Sequence, residues 1–289
     1  MKAAFLGLGR MGTGMAGRIL KAGLSLDVWN RTPEKSAPFA ALGATVHEGP
    51  VEAASGAAIV FTMLADDAAL EAVMGPETIG AMIPAGVHVS MSTISVGLAQ
   101  RMTDDVARLG RYHVSCPVFG RPAAAEGGTL QLCLAGGAAA KKTIRPYLDP
   151  MGKVWDFGDV PFAANSVKLA GNFMISSLIE LLAEAFSLVE KSGVQPEDFF
   201  NLMSNSLFDA PVVKTYGRLL LDGNFDVAGF AAKLGLKDVG LIRDAARRTA
   251  TPLPMASLVE DRFLRILAKG WAEKDWSVVG LSQRTEAGL

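Results

Sequence analysis

The chain has 289 residues, 50% of them hydrophobic, which is enough for two domains of ordinary size with buried cores. Its 28 Lys and Arg against 29 Asp and Glu give a formal net charge of -1. No basic field therefore favours nucleic acid or an anionic membrane, and a small molecule is the expected partner. The chain has two cysteines and opens without a signal-peptide pattern, which predicts a reducing, cytoplasmic environment. Three histidines lie far apart in the sequence without ligand spacing, so no metal site is predicted.

The first motif with a chemical meaning is GLGRMG, directly behind a short apolar run at the N-terminus. Gly7, Gly9 and Gly12 have the spacing G-x-G-x-x-G, which gives a tight turn, a close approach to a pyrophosphate, and close packing of helix on strand. A strand is predicted at 3–6 and a helix at 11–22, ended by Gly23, which is the context the motif needs. The backbone amides at the start of that helix and the positive end of the helix dipole favour the binding of a phosphate group. The predicted dinucleotide-binding residues are Gly7, Leu8, Gly9, Arg10, Met11 and Gly12.

The segment after the second predicted strand, at 24–29, indicates which coenzyme is preferred. A fold that prefers NAD usually ends this strand with an Asp or Glu for the ribose 2′-hydroxyl, and none is present. Arg31 instead suits a 2′-phosphate, with Asn30 and Thr32 as neutral hydrogen-bonding groups, so NADP(H) is predicted and NAD(H) is the alternative. The same residues also suit a turn in which Thr32 caps a helix that begins at Pro33.

Strand and helix patterns alternate through the first half of the chain. Further strands are predicted at 45–46, 57–64 and 86–91, and helices at 67–74 and 98–109. This alternation favours a parallel, right-handed wound sheet whose carboxyl edge holds the ligand. Met63 and Leu64 leave one strand at that edge, and the segment Ser92-Thr93-Ile94-Ser95 leaves the next, so Thr93 and Ser95 are also expected near the nicotinamide half. Ser95 is equally suited to capping the helix that follows.

The pattern changes at residue 162. Before it, residues 114–130 read as a strand, a loop, a helical turn and another strand, and the last strand is predicted at 152–157. After it no strand-like run occurs, and helices are predicted at 162–191, 196–206, 209–220, 231–249 and 253–269. The first of these contains Glu180 and Glu184, which favours a core helix over a membrane span. The sequence thus predicts an α/β, Rossmann-type doubly wound domain at 1–161 and an all-α domain at 162–289, joined by a long helix.

Several motifs, taken in order, resemble the β-hydroxyacid dehydrogenase family, which includes 3-hydroxyisobutyrate dehydrogenase and glyoxylate or succinic semialdehyde reductases. The resemblance covers nearly the whole chain. The motifs are GLGRMG at 7–12, STIS at 92–95, Pro117-Val118 ahead of GGTL at 127–130, Lys168, and Lys237-Asp238. The resemblance implies a nicotinamide coenzyme, a small hydroxyacid or carbonyl substrate, and a homodimer or homotetramer.

The loop after Pro117-Val118 departs from the family pattern. Much of the family has Ser-Gly-Gly there, whose serine and backbone amides hold the substrate carboxylate, whereas this chain has Phe119, Gly120 and Arg121. Phenylalanine cannot donate the hydrogen bond of the serine. Arg121 is a candidate replacement because its planar guanidinium matches two carboxylate oxygens, with a solvated arginine as the alternative.

Lys168 is the predicted proton donor and acceptor. It lies near the start of the long helix among largely uncharged residues, and Asn172, four residues on, shares its face. Carbonyl reduction needs a proton for the oxygen as hydride reaches the carbon, and the reverse reaction needs a base. Lys168 also matches the catalytic lysine of the family. The resemblance further implies that Lys237 approaches the coenzyme and that Asp238 fixes the helical domain.

Two other functions remain open at this point. Imine reductases resemble this chain in architecture but typically have Asp or Tyr where this chain has Lys168, so Lys168 favours a carbonyl or hydroxyacid substrate. A non-catalytic NADP(H)-binding protein is supported only by the altered loop at 119–122.

Overall fold

The computed structural model describes all residues from Met1 to Leu289, which form two compact units, Met1–Lys168 and Leu169–Leu289. The boundary predicted at 161/162 coincides with the first residue of a helix, Phe162–Lys191, that runs through both units.

Nine strands form the sheet of the first unit. They are β1 (Ala3–Leu6), β2 (Asp27–Trp29), β3 (Thr45–Val46), β4 (Ile59–Thr62), β5 (Val87–Ser90), β6 (Tyr112–Ser115), β7 (Val118–Phe119), β8 (Leu130–Gly136) and β9 (Gly152–Asp156). The order is β3-β2-β1-β4-β5-β6-β8-β7, and β9 also pairs with β8. In the sheet order from β3 through β2, β1, β4 and β5 to β6, all neighbouring strands are parallel, as predicted. In contrast, β8 runs antiparallel to both β6 and β7.

Seven helices accompany this sheet. They are α1 (Arg10–Lys21), α2 (Pro50–Ala54), α3 (Asp67–Val73), α4 (Pro76–Ala81), α5 (Val96–Arg108), α6 (Pro122–Gly127) and α7 (Ala138–Leu148). Short 3₁₀ helices occupy Pro33–Lys35 and Ala37–Leu42. The sequence did not predict α2, α4 or α7. The first two are too short to show a helical period and α7 contains Pro146, so their apolar spacing gave no clear signal.

The sheet is buried on both faces, as expected for parallel strands covered by crossover helices. Phe5, Phe61 and Val89 point into one core, against α1 and α7. Ala4, Leu6 and Val60 point into the other, against α3 and α5. Because alternate residues of each strand face opposite sides, the strands are apolar runs, and ligands of such a sheet bind outside the carboxyl ends of its strands.

The second unit is a helical bundle. Its helices are α8 (Phe162–Lys191, from Leu169 onward in this unit), α9 (Pro196–Ser204), α10 (Pro211–Asp222), α11 (Ala232–Arg248), α12 (Pro254–Ala268) and α13 (Val279–Glu286). The first five agree with the predicted helices to within a few residues, and α13 was not predicted. Proline occupies the first turn of α9, α10 and α12, where its missing amide hydrogen has no helical acceptor to lose.

A buried ion pair ties α8 to α12. Arg262 Nε donates to Glu180 Oε1 at 2.8 Å, and Arg262 Nη1 lies 2.8 Å from Glu286 Oε2 on α13. Desolvation raises the pKa of Glu180, and the adjacent guanidinium opposes that rise. By length and composition α8 could cross a bilayer, but its central carboxylate is paired inside the bundle, which suits the predicted core helix.

Candidate active site

The glycine-rich turn between β1 and α1 has the backbone that its sequence predicts. Gly7 has a φ of +103°, and a Cβ there would lie 2.4 Å from the Met63 carbonyl oxygen. A Cβ on Gly12 would lie 2.0 Å from the Gly7 carbonyl oxygen, so the turn and the helix can approach only with glycine at both positions. A Cβ on Gly9 meets nothing within 4 Å. The motif is thus tightly packed at its first and third glycines and open at the second, where a pyrophosphate would approach.

The amino end of α1 is electrostatically suited to an anion. Its N-cap is Gly9, which offers no side-chain acceptor, and its first turn contains no acidic residue. The positive end of the helix dipole is therefore not neutralised by a carboxylate of its own turn. Arg10 is exposed and Met11 is partly exposed at the start of the helix, and Leu8 is buried beneath the turn. These observations fit a dinucleotide phosphate.

Asn30 has a role that the sequence did not predict. Its Oδ1 accepts a hydrogen bond from the Leu8 amide at 2.8 Å, and its Nδ2 donates to the Thr32 carbonyl oxygen at 2.9 Å. These two bonds hold the glycine-rich turn and the segment after β2 in place. Thr32 stands at the N-cap of Pro33–Lys35 as predicted, but without a side-chain capping bond. Arg31 is exposed and no carboxylate of the chain pairs with it.

The carboxyl edge of the sheet brings together the segments that follow β4 and β5. The Ser92 hydroxyl accepts a hydrogen bond from the Leu64 amide at 2.7 Å, which fixes Met63 and Leu64 beside Thr93. Of the two interpretations of Ser95, the structure shows the helix cap: its Oγ accepts from the Leu98 amide at 2.9 Å. The same hydroxyl donates to Asp67 Oδ2 at 2.5 Å, so its hydrogen is already engaged.

The loop that departs from the family pattern follows β7. Phe119 ends that strand and pairs in register with Gln131 of β8. Gly120 has a φ of +144°, and a Cβ there would lie 2.5 Å from Leu130, so the chain turns sharply at this residue. Arg121 is partly buried and stands at the N-cap position of α6, immediately before Pro122.

Lys168 is not a surface lysine. Only 8% of it is exposed, and its Nζ lies 4.1 Å from the centroid of the Phe119 ring. The Cys133 thiol is near enough for the Lys168 charge to act on it. Burial raises the pKa of that thiol, and the nearby positive charge only partly opposes the rise. The first unit thus surrounds this ammonium with an aromatic ring and a neutral thiol.

Asn172, on the next turn of α8, has a partner in the second unit. Its Nδ2 donates to Asp238 Oδ2 at 2.6 Å, and Asp238 is 1% exposed. Lys237 Nζ lies 2.9 Å from the other carboxylate oxygen of Asp238. The buried aspartate therefore fixes which way the Asn172 amide faces, a contact between residues 66 apart in sequence that spacing alone gave no means of finding.

Sequence reasoning also missed Asn165, one turn before Lys168 on the same helix. It is 1% exposed, and neither its Nδ2 nor its Oδ1 has a hydrogen-bond partner. A buried amide without partners costs about 1–3 kcal/mol, which a ligand that hydrogen-bonds it would restore. Because the residue spacing is i, i+3 and i+7, Asn165, Lys168 and Asn172 share one face of α8. The one signal in the sequence that could have indicated Asn165 was an asparagine among apolar residues in the first turn of a predicted helix.

The chain matches two protein-family models that together cover most of its length. Residues 2–163 match the NAD binding domain of 6-phosphogluconate dehydrogenase, and residues 163–280 match the NAD-binding domain of NADP-dependent 3-hydroxyisobutyrate dehydrogenase. The first match contains the glycine-rich turn and the second contains Lys168 and Asn172.

Individual relatives and solved structures agree with these matches. The chain is 38% identical to the uncharacterised oxidoreductase YfjR of Bacillus subtilis, over 96% of this chain and 98% of that protein. It is 31% identical to 2-(hydroxymethyl)glutarate dehydrogenase of Eubacterium barkeri, over 96% of this chain and 93% of that protein. Its structure is similar to 3-hydroxyisobutyrate dehydrogenase of Mycobacterium tuberculosis, solved with L-serine, with a TM-score of 0.89, 28% identity, and coverage of 98% and 99%. The chain therefore belongs to the β-hydroxyacid dehydrogenase family and is an NAD(P)-dependent oxidoreductase that acts on hydroxyl groups.

Proposed function

We propose that this chain is an NADP(H)-dependent reductase of a small aldehyde or keto acid, working in reverse as a β-hydroxyacid dehydrogenase, with Lys168 as its general acid and base. The observation that supports this proposal most strongly is the burial of the Lys168 ammonium at 8% exposure, 4.1 Å from the Phe119 ring. Lysines are rarely buried without a purpose, and a buried amine on a polar helix face is suited to proton transfer.

In this proposal the two polar groups on α8 have different tasks. A bound nicotinamide supplies hydride to the substrate carbon in reduction and accepts it in oxidation. Lys168 donates one proton to the carbonyl oxygen for each hydride that reaches the carbon, and the resulting amine regains its proton from water. Asn172 is held by Asp238 through one N–H, so its Oδ1 and second N–H are free to orient the substrate oxygen beside Lys168.

The residues proposed to hold the coenzyme lie on the first unit, with one addition. The turn from Gly7 to Gly12 takes the pyrophosphate, and Arg31 takes the 2′-phosphate. Support for NADP(H) comes from the exposed, unpaired Arg31 and from the absence of a carboxylate at the end of β2. Met63, Leu64 and Thr93 flank the nicotinamide half. Lys237, which matches the family's coenzyme-approaching lysine, is also proposed to approach the coenzyme.

The substrate is proposed to be a short acid. Relatives include a 2-(hydroxymethyl)glutarate dehydrogenase and a 3-hydroxyisobutyrate dehydrogenase solved with L-serine. The small molecules in these names each combine a hydroxyl with a carboxylate. Arg121 is the proposed carboxylate partner, with the Gly120 backbone beside it, because the hydroxyl of a serine is lacking at 119. Phe119 supplies an apolar wall. Ser95 lies at the same edge of the sheet, but its hydroxyl is engaged in the helix cap, so no hydrogen bond from it to the substrate is proposed.

We also infer that the chain works in the cytoplasm as a homodimer or homotetramer. Its two cysteines are free and buried, which suits a reducing compartment. The second unit exposes large apolar side chains on α8: Met174 is 70% exposed, Leu181 54% and Leu188 69%. These residues recur every seven positions, so they form a stripe along one side of the helix that a second copy would cover.

The decisive experiment replaces Lys168 and measures turnover and coenzyme binding separately. We expect Lys168→Ala to lower kcat by about 10²–10⁴-fold on any carbonyl substrate while NADPH binding, followed by fluorescence, stays near the wild-type value. Lys153→Ala, at an exposed lysine of β9, is the matched control. Substrates come from a panel of aldehydes, semialdehydes, keto acids and cyclic imines read by NADPH absorbance. Full activity of Lys168→Ala, or a clear preference for cyclic imines, would contradict the proposal.

A further inference from the structure

Phe119 is held rigidly on the side of Lys168. Its backbone is paired with Gln131 of β8, and its ring packs on a small cluster that contains Cys133, Ala135 and Ala164. Ala164 and Val167, on the first turns of α8, belong to the same cluster, so the ring contacts the helix that bears the lysine. The sharp turn at Gly120 ends the strand directly after Phe119.

The contact between this ring and the lysine has the geometry of a cation–π interaction. Nζ of Lys168 lies 4.1 Å from the ring centroid, well within the range of about 6 Å over which the negative face of an aromatic ring attracts a cation. Burial strengthens the attraction because water does not screen it. The neighbouring thiol of Cys133 is buried and neutral, so it supplies no anion that would replace the ring as the attracting group.

We propose that Phe119 is a positioning residue for Lys168. The ring of Phe119 holds the Lys168 ammonium over its face and stabilises the protonated form of the lysine. This inference rests on the proposed role of Lys168 in proton transfer. It adds a direction of action: a lysine kept protonated is ready to donate to a carbonyl oxygen, whereas hydroxyl oxidation needs the neutral amine and is moved to alkaline pH. Phenylalanine at 119 thus extends the pH range of reduction upward and delays the onset of oxidation to higher pH.

The first test compares pH profiles of two variants that differ in the aromatic face. Phe119→Leu keeps apolar bulk and loses the ring, whereas Phe119→Tyr keeps the ring. We expect Phe119→Leu to shift the acid limb of the oxidation profile and the alkaline limb of the reduction profile to lower pH by about one unit. Phe119→Tyr should keep the wild-type position of both limbs. Profiles of Phe119→Leu that superimpose on the wild type would overturn the proposal.

The second test does not depend on turnover. Acetic anhydride labels neutral amines, so the pH dependence of labelling at Lys168, measured by mass spectrometry on the free protein, reports its protonation. We expect half-maximal labelling at lower pH in Phe119→Leu, with Lys153 unchanged as the internal reference, since Lys153 lies over Trp155 at 4.0 Å. A labelling shift together with an active Lys168→Ala enzyme would refute the proposed function and leave this contact standing; no labelling shift would refute the contact itself.

A third set of variants covers the case in which Phe119→Leu does not fold. Phenylalanine at 119 is replaced by its mono-, di- and trifluorinated forms, which weaken the negative ring face stepwise with little change of shape. We expect the labelling midpoint of Lys168 to fall steadily with each fluorine. A midpoint that does not change across the series would overturn the proposal.

Discussion

Arg31 is the single side chain on which the proposed coenzyme preference depends. It is exposed, pairs with no carboxylate of the chain, and follows a strand that ends without an acidic residue. Its neighbour Asn30 is engaged with Leu8 and Thr32 and carries no charge to match that of the 2′-phosphate. Discrimination between the two coenzymes should therefore reside largely in one guanidinium.

Replacing that guanidinium tests the preference. Charge-assisted hydrogen bonds contribute about 1.5–3 kcal/mol, so Arg31→Ser should raise the Kd for NADPH about 10–100-fold and change the Kd for NADH less than about threefold. Both constants are measured by fluorescence titration of the free protein. Lys35→Ser, which removes a nearby exposed positive charge, is the control. Equal losses for both coenzymes in Arg31→Ser would contradict the assignment.

Individual roles were predictable where local sequence sets them and unpredictable where a distant partner does. The three glycines of the turn could be assigned because backbone conformation and spacing are local. For Asn30 both a coenzyme contact and a turn were open, and only the structure shows that the Leu8 amide, 22 residues away, donates to its Oδ1. Asn165 escaped notice, and the pairing of Asp238 with Asn172 could not be foreseen, because only the folded chain shows what is buried and what it meets.

Strand register produces a buried histidine pair that the sequence concealed. His88 on β5 and His113 on β6 are register partners, and their Nδ1 atoms lie 3.1 Å apart. His88 Nε2 lies 3.0 Å from Thr62 Oγ1 on β4, and His113 Nε2 lies 3.3 Å from Ser115 Oγ. A neutral imidazole has one N–H, so the Nδ1 of one ring donates to the Nδ1 of the other. If both rings became imidazolium, two N–H donors would face each other.

This pair predicts acid sensitivity. Burial lowers the pKa of His113 to about 4 and lowers the pKa of His88 well below its usual value, with the charge of His113 adding to the effect. In the unfolded chain both titrate near about 6.5. The unfolded state thus binds more protons below that pH, and the free energy of unfolding falls as pH decreases, by about 1.4 kcal/mol per pH unit for each histidine until the folded protein is protonated.

Urea unfolding between about pH 6.5 and 4.5 measures this slope. His113→Asn, which retains hydrogen-bonding groups but no titrating ring, should reduce the slope by about 1.4 kcal/mol per pH unit even if it lowers stability overall. A slope in His113→Asn equal to that of the wild type would contradict the assignment.

At the scale of the whole molecule, the apolar stripe on α8 predicts self-association. The stripe consists of Met174, Leu181 and Leu188, and exposed apolar surface of this extent is unfavourable in a monomer. Sedimentation at micromolar concentration should show a dimer or tetramer, and Leu181→Glu should shift it to monomer because a carboxylate would be buried without a partner. Leu207→Glu, at a leucine 80% exposed outside α8, is the control. A wild-type protein that sediments only as monomer would refute the prediction.

Sequence alone determined the fold class, the glycine-rich turn, the long helix at 162–191 and the lysine within it, because each depends on local periodicity or on residue types at fixed spacing. It could not determine the antiparallel addition of β7 and β8, the pairing of Asn172 with Asp238, or the contact of Phe119 with Lys168. Those depend on which residues meet across long stretches of chain. Tertiary structure decided them, because burial and hydrogen-bond partners are properties of the packed molecule and not of any short segment.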